Sequence, residues 1–140
     1  MQQQRCYLFF LLCVGLVGCS ATMNYKGENK FKARIHAFSH AIRWSQFEEA
    51  QGFIRKRNNQ AVSQNQDYFK QIKVIKYKSL SEISRKSPDQ QGTDIVSTYT
   101  IDFYHKGTYK TQHQQYQQLW WYDDAADSWF LDSDLPNFRQ

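Results

Sequence analysis

The sequence predicts an α+β fold, in which an amino-terminal pair of helices packs on an antiparallel sheet of three to four strands. Two patterns lead to this prediction. Apolar residues recur at helical spacing between residues 31 and 54, and apolar and polar residues alternate from residue 75 onward. Clusters of turn-forming residues separate the alternating stretches, as in a series of hairpins. Because the two patterns occupy separate parts of the chain, we expect the helices to cover one face of a single sheet.

The first helix is predicted from residue 31 to about residue 44. A second helix, over residues 46–55, should follow almost directly, because Ser45 and Glu48 match the capping box. In that motif the serine side chain accepts a hydrogen bond from a free backbone amide, and the glutamate reaches back to the serine. A further helical turn is predicted near Asp67. The residues that define the apolar face of the first helix lie four, three and four positions apart: Phe31, Ile35, Phe38 and Ile42.

Strands are predicted over residues 75–83, 95–105, 109–122 and 128–133. In the first of them, Tyr77 and Ile83 should share a face, and the apolar pair Val74-Ile75 indicates a bulge or the beginning of the strand. The glutamine-rich stretch 112–118 has β-forming residues on both sides, so we expect a glutamine ladder on a solvated sheet face. The aspartates of residues 123–134 should serve turn formation at a hairpin.

The amino terminus has the pattern of a secretory signal. One positive charge, Arg5, precedes an unbroken apolar run over residues 6–17. The run is shorter than the roughly 20 residues that a membrane-spanning helix needs. It ends in Leu-Val-Gly-Cys, residues 16–19, which resembles the lipobox of bacterial lipoproteins. An uncleaved anchor, or an ordinary signal peptide in which Cys19 is incidental, is the alternative.

The lipobox resemblance implies a domain organisation and a location. Residues 1–18 would be a cleaved signal peptide, Cys19 would carry a diacylglyceryl group and an acylated amino terminus, and residues 19–30 would form a tether to a single domain over residues 31–140. Ser20 after the cysteine implies, by the lipoprotein sorting rule, the outer membrane, with the domain facing the periplasm. All three cysteines lie within the first 19 residues. The mature domain would therefore have no disulfide in a compartment that allows them.

The composition indicates a well-packed, weakly basic domain. The formal net charge is +5, and all but three of the 23 aromatic residues follow residue 18. A basic aromatic chain can bind nucleic acid, but an exported lipoprotein rarely meets it, so we expect no nucleic-acid partner. Anionic lipid or the cell-wall surface suits a weak positive field better. The densest basic stretch, residues 70–86, is expected to be a solvated strand face, with an anion or lipid contact as the alternative.

Two segments resemble small proteobacterial lipoproteins of unknown function with a domain of the nuclear-transport-factor-2-like (SnoaL-like) superfamily. They are AIRWSQFEEAQGFI, residues 41–54, and LWWYDDAADSWFLDSDLPNF, residues 119–138. The resemblance implies a cone-shaped domain whose curved sheet surrounds a pocket, which is open in some members and filled in others. Its motifs are structural and transfer no catalytic residues.

The leading functional hypothesis is a non-enzymatic binding or scaffolding module in the cell envelope, with another envelope protein as a candidate partner. The alternative is a small-ligand binder or an enzyme that uses the pocket of the sheet, with Tyr99, His105 and His113 as candidate contacts. Asp102 and His105 lie an odd number of positions apart on one strand and should face opposite ways, which disfavours joint proton transfer. We expect no cofactor and no catalytic residue.

Aromatic residues of the last hairpin are candidate partner contacts. Trp120 and Trp121 are adjacent in a strand and should point to opposite faces, so that one enters the core and the other is partly exposed. The outward ring could stack on a sugar or contact a partner, whereas packing across the hairpin onto Trp129 is the structural alternative. His36 and His40 share a helix face at a spacing that can hold zinc. Because no third ligand is nearby, we expect no metal site.

Overall fold

The computed structural model describes residues 25–62, 65–89 and 92–139, and Cys19 and the signal segment lie outside this part. Three helices precede four strands that form one antiparallel sheet in the order β1-β2-β3-β4, so the predicted α+β class is confirmed. Among the described residues, no helix has the length and hydrophobicity to cross a membrane. The elements are α1 (Glu28–Arg43), α2 (Phe47–Gln51), α3 (Gln66–Phe69), β1 (Ile72–Lys86), β2 (Thr93–His105), β3 (Thr111–Asp123) and β4 (Ser128–Leu131).

Helix α1 begins three residues before the predicted boundary, within the segment assigned to the tether. Gly27 precedes the helix with a left-handed φ of 71°, and its carbonyl accepts a hydrogen bond from the Phe31 amide at 2.8 Å. Tyr25 packs edge-on against Phe31 and Trp129, with ring centroids 5.8 and 5.6 Å apart. The folded domain therefore includes residues before the first predicted helical position, Phe31.

Helix α2 is shorter than predicted, and the capping box does not form. Ser45 has a left-handed φ of 60°, and its hydroxyl accepts a hydrogen bond from the Val74 amide at 2.9 Å instead of capping α2. Gln46 precedes the helix and makes no side-chain cap. Helix α2 ends at Gln51 because the next residues pair with the edge of β4, where the Leu131 carbonyl accepts from the Arg55 amide at 3.0 Å.

Strand β1 contains two irregularities in its pairing with β2. The register shifts between Val74 and Lys76, so that of the two predicted alternatives the bulge is confirmed and the strand begins earlier, at Ile72. It shifts again between Ser79 and Ser81. The second bulge, at Leu80, reverses the faces of the residues that follow. Tyr77 accordingly lies on the sheet face that packs against α1, the inner face, whereas Ile83 lies on the opposite, outer face. The prediction that these two side chains share a face is wrong.

The hydrophobic core lies between α1 and the inner face of the sheet. Helix α1 buries Phe31, Phe38, Ala41 and Ile42, at positions close to the predicted stripe. The last residues of the chain complete the core, since Leu135 and Phe138 are buried after β4. The fully buried members from the sheet are Ile95, Ile101, Phe103, Trp120 and Leu131.

Candidate functional site

The three residues expected to line a pocket do not come together. Tyr99 and His105 lie on the inner face of β2, but His113 lies on the outer face of β3, opposite Asp102. His105 is held at the end of its strand, where its Nε2 lies 3.1 Å from the Phe138 carbonyl. Strand alternation separates Tyr99 from His113 by the thickness of the sheet. The two histidines therefore cannot act with Tyr99 on one ligand in this arrangement.

The inner face is filled by aromatic side chains. The ring of Phe38 from α1 packs edge-on against Trp120, with centroids 5.5 Å apart, and Phe138 lies 4.7 Å from Phe103. Three clefts of about 440, 330 and 750 Å³ occur on the described surface. None of these three clefts is lined by the four rings that fill the inner face.

A polar cluster lies inside this aromatic layer. The side-chain carbonyl of Gln118 accepts a hydrogen bond from Trp120 Nε1 at 2.8 Å, and its amide group donates to the Tyr77 hydroxyl. The rings of Tyr77 and Tyr99 stack with centroids 4.5 Å apart. Gln118 is fully buried, so the predicted solvated ladder is wrong at this residue. The cluster satisfies polar groups that would otherwise be costly to bury.

Burial determines the protonation of the tyrosines on the inner face. It raises the pKa of Tyr77 and Tyr99 above the usual value and raises that of Tyr116 well above it. The Tyr116 hydroxyl donates to the Asp134 carbonyl at 2.8 Å. A phenol with a raised pKa keeps its proton at neutral pH. These three groups are therefore suited to donate hydrogen bonds, and not to act as general bases at neutral pH.

Trp121 lies on the outer face, and Trp120 lies in the core, as predicted from their adjacency. The half-buried ring of Trp121 is covered by the Arg57 guanidinium, 5.3 Å from the ring centre, and its Nε1 donates to the Arg55 carbonyl at 2.9 Å. Arg57 also pairs with Asp94, at 2.6 Å, although Asp94 is only 1% exposed. Side chains of the protein itself therefore cover the exposed face of the Trp121 ring, on which the binding of a sugar or a partner protein was one of the two predicted alternatives.

The hairpin between β3 and β4 uses its aspartates internally. Asp123 Oδ1 accepts hydrogen bonds from the Ala125 and Ala126 amides at 2.9 and 3.2 Å. Asp124 pairs with Lys26 and Asp127 with Lys30. The predicted turn role is therefore confirmed for Asp123 only, and the other two carboxylates serve as partners of lysines from the start of the domain.

Trp129 connects the hairpin to the start of the domain. Its ring is 1% exposed, and its Nε1 donates to the Gly27 carbonyl at 3.1 Å. It also packs edge-on against Tyr122, with ring centroids 5.4 Å apart. The contact is structural, which favours packing over a partner-binding role for this tryptophan.

The candidate zinc histidines stay on the surface. His36 and His40 are exposed on α1, and the His40 ring lies 6.1 Å from that of Trp44. Over residues 25–62, 65–89 and 92–139, no three His, Cys, Asp or Glu side chains group closely enough to hold a metal ion. The donor set that zinc needs is thus not assembled around this pair.

One polar group on the outer face was not predicted. Asp102 pairs with His113 across β2 and β3, and Lys76 Nζ lies 3.9 Å from the other carboxylate oxygen. Asp102 and His105, which were predicted to face opposite ways along one strand, do so. The partner of Asp102 depends on the hairpin register, in which six residues separate Tyr104 from its partner Thr111. The predicted strand ends, residues 105 and 109, leave a loop of three residues and do not give this register.

The two edges of the sheet differ in how they are covered. Residues 53–55 lie along β4 and form a parallel bridge from Ile54 to Leu131. Strand β1 pairs with β2 only, among the described residues, and residues 76–86 of its other edge pair with no described strand. Three of the exposed large apolar side chains lie on this strand, each about half exposed: Ile75, Leu80 and Ile83. The side of residues 76–86 that faces away from β2 is therefore uncovered by any described strand, and we call it the free edge of β1.

Comparisons with known proteins give no match: no protein-family model matches the chain, and no curated protein or solved structure matches it significantly. Its class must therefore be inferred from its own residues and geometry.

Proposed function

We propose that the protein is a lipid-anchored module of the bacterial cell envelope that binds or scaffolds through its outer surface and has no catalytic role. In this proposal residues 1–18 are a cleaved signal peptide, and Cys19 carries the lipid in the outer membrane, with the domain facing the periplasm. The Leu-Val-Gly-Cys sequence at the end of a short apolar run supports the anchor. The domain is a nuclear-transport-factor-2-like cone with a filled pocket.

The closed inner face is the observation that carries the binding part of the proposal. A small-ligand binder or enzyme of the cone type needs an opening between the helix and the sheet. Here Ile101, Phe103 and Trp120 are fully buried, and Phe38 of α1 packs on Trp120. The burial of these side chains favours recognition on the outside of the domain. An envelope protein is the preferred partner, and an anionic lipid or cell-wall surface is the second candidate.

The anchor would also orient the domain. Tyr25 packs on Trp129, next to the hairpin that connects β3 and β4. Tyr25 lies six positions after Cys19, a reach of about 20 Å when the chain is fully extended. The hairpin would therefore lie close to the bilayer, and the opposite end of the sheet, with His105, would point away from it.

Substitution of Cys19 tests the anchor, and Cys13 offers a matched control within the same leader. We expect the wild-type protein and the Cys13→Ser variant to fractionate with membranes and to begin at an acylated Cys19 in intact mass spectrometry. Cys19→Ser should remove the acyl mass and release the protein from membranes. A mature protein that begins at Met1, or undiminished membrane association of Cys19→Ser, would contradict the proposal.

A further inference from the structure

The free edge of β1 has the geometry of a strand acceptor. An edge strand presents alternate backbone amides and carbonyls that can pair with another extended chain. Near the start of β1 this edge is occupied, because the Val74 amide donates to the Ser45 hydroxyl. Beyond Ile75, the backbone of the eleven residues 76–86 has no described strand on the side away from β2. This length exceeds the five or six residues of an average strand.

The charges along the edge are of one sign, with a single exception. Only Glu82 is acidic between residues 72 and 86, and the Lys76 ammonium has a carboxylate nearby, Asp102 at 3.9 Å. On the outer face, the register with β2 places basic groups on both sides of an exposed isoleucine. The outer-face side chains follow one another in the order Lys76, Lys78, Ser81, Ile83 and Arg85.

We propose that an extended acidic segment of a partner protein pairs with the free edge of β1 as a fifth strand. Acidic side chains of this segment would lie beside Lys76, Lys78 and Arg85, and an apolar side chain would lie on Ile83. Cross-strand pairs of opposite charge and apolar pairs each stabilise a sheet. The inference deepens the proposed binding function by naming the chemistry of the partner. It rests on that function only for the location of the partner in the envelope.

The same charges disfavour a second copy of the chain as the occupant. Pairing of β1 with β1 would bring lysines and arginines opposite one another, and like charges directly opposite destabilise a sheet. The bulges and lysines of β1 also protect the edge against unspecific pairing. An acidic strand would pair with the edge because it neutralises those lysines. The same lysines would therefore disfavour unspecific pairing and select an acidic partner.

The probe is a fluorescein-labelled peptide as long as the segment 76–86, with glutamate at the outer-face positions beside Lys76, Lys78 and Arg85, valine beside Ile83, and threonine at the other positions. Its binding to the full-length protein in neutral detergent is followed by fluorescence anisotropy. Two control peptides carry lysine in place of glutamate, or N-methyl groups on alternate amides, in both possible phases. We expect the acidic peptide to bind saturably, the lysine peptide to fail, and one N-methyl phase to abolish binding because it removes the ladder hydrogen bonds.

Variants of the protein locate the site. Lys76→Glu/Lys78→Glu should weaken binding at least about tenfold. Lys110→Glu, an exposed lysine in the loop between β2 and β3, serves as the matched control and should leave binding unchanged. Tryptophan fluorescence confirms that each variant is folded. Any of three results would overturn the inference. The acidic peptide could fail to bind, both N-methylated peptides could bind as tightly as the unmethylated one, or the two charge variants of the protein could bind the acidic peptide with equal affinity.

Two other occupants give distinct results. Binding of phosphatidylglycerol vesicles that depends on Lys76 and Lys78, without binding of the acidic peptide, would assign the edge to lipid and overturn the inference. Dimerisation in sedimentation experiments that Lys76→Glu/Lys78→Glu abolishes would assign it to a second copy. The Cys19→Ser variant separates the proposed anchor from the proposed strand acceptor, because it should no longer associate with membranes but should still bind the acidic peptide. Peptide binding by a wild-type protein whose Cys19 carries no acyl group would remove the proposed anchor alone.

Discussion

The side-chain carbonyl of Gln118 accepts a hydrogen bond from the indole Nε1 of Trp120 at 2.8 Å, and both side chains are fully buried. The amide group of the same glutamine donates to the Tyr77 hydroxyl. One residue thus pairs polar groups from β1 and β3 across the intervening strand β2. Buried polar networks of this kind stabilise a fold when every member is satisfied and destabilise it when one partner is lost.

Gln118→Leu should therefore destabilise the domain. The substitution keeps the volume of the side chain but leaves the Trp120 indole without its acceptor, and a buried unpaired donor costs about 1–3 kcal/mol. Gln117, its exposed neighbour on the outer face, provides the matched control. Gln117→Leu should change the free energy of unfolding by less than about 0.5 kcal/mol. Urea unfolding followed by tryptophan fluorescence measures both, and equal stabilities would contradict a structural role for Gln118.

The glutamine stretch shows how far the sequence could predict this arrangement. β-forming residues around residues 112–118 correctly indicated a strand, and its alternation placed Gln118 and Trp120 on the same face. Composition could not indicate that this face is the buried one at Gln118, because glutamine is mostly exposed in proteins. Its burial depends on two specific partners, Trp120 and Tyr77, and the second comes from a strand some 40 positions earlier in the chain.

The faces of β1 illustrate a second limit. Alternation over residues 75–83 predicted the strand, and the adjacent apolar pair Val74-Ile75 predicted one bulge. The bulge at Leu80 has no such signal, because the neighbouring Ser79 and Ser81 fit either face. A single extra residue exchanges the two faces of all that follow. The exposed apolar edge and the Asp102–His113 pair both depend on pairing registers, which the sequence alone did not determine.

Alkaline pH should unfold the protein through its buried tyrosines. Burial raises the pKa of Tyr25 to about 12 and raises that of Tyr77, Tyr99 and Tyr116 as well. The phenols of the unfolded chain ionise near pH 10. Because each phenol ionises more readily in the unfolded chain than in the folded one, deprotonation favours unfolding. The stability that comes from the protonated tyrosines is fully present below about pH 10 and is lost as the pH rises toward the folded-state pKa values. Each such tyrosine lowers the free energy of unfolding by about 1.4 kcal/mol per pH unit in that window.

Urea unfolding at a series of pH values between about 8 and 11.5 measures this slope. Tyr116→Phe should reduce the slope by the contribution of one tyrosine. It also removes the hydrogen bond to the Asp134 carbonyl, which lowers the free energy of unfolding by a constant amount below about pH 10. Absorbance of the phenolates should rise together with the loss of tryptophan fluorescence. Ionisation of all tyrosines near pH 10 with the fold intact would be inconsistent with the buried cluster.

Substitutions at Ser45 and Glu48 separate the capping box from the observed contact. The capping box predicts that either substitution by alanine weakens α2. In the structure the Ser45 hydroxyl accepts from the Val74 amide, and Glu48 is exposed. We therefore expect Ser45→Ala to cost about 1–2 kcal/mol, since it leaves a part-buried amide unpaired. Glu48→Ala should stay within about 0.5 kcal/mol of wild type in urea unfolding. A similar loss in both variants would restore the capping box.

Gly27 should be the glycine least tolerant of a side chain among those at the described positions. Its φ of 71° is left-handed, and a β-carbon there would lie 2.9 Å from Tyr122 Cε2 and 3.1 Å from Trp129 Nε1. The conformation alone costs a non-glycine residue about 1–2 kcal/mol, and the contact with two packed rings adds to it. Gly27→Ala should therefore lower the free energy of unfolding by more than about 2 kcal/mol.

Gly107 provides the matched control, because a β-carbon there meets no atom within 4 Å and its φ is not left-handed. Gly107→Ala should be neutral or should stabilise the domain by up to about 1 kcal/mol, through the reduced entropy of the unfolded chain. Thermal and urea unfolding measure both variants. Since Gly27 connects α1 to the β3–β4 hairpin through Trp129, its substitution should also expose that indole and shift its fluorescence to longer wavelength. An unchanged spectrum in a destabilised Gly27→Ala variant would show that the backbone strain, and not the ring contact, makes the glycine necessary.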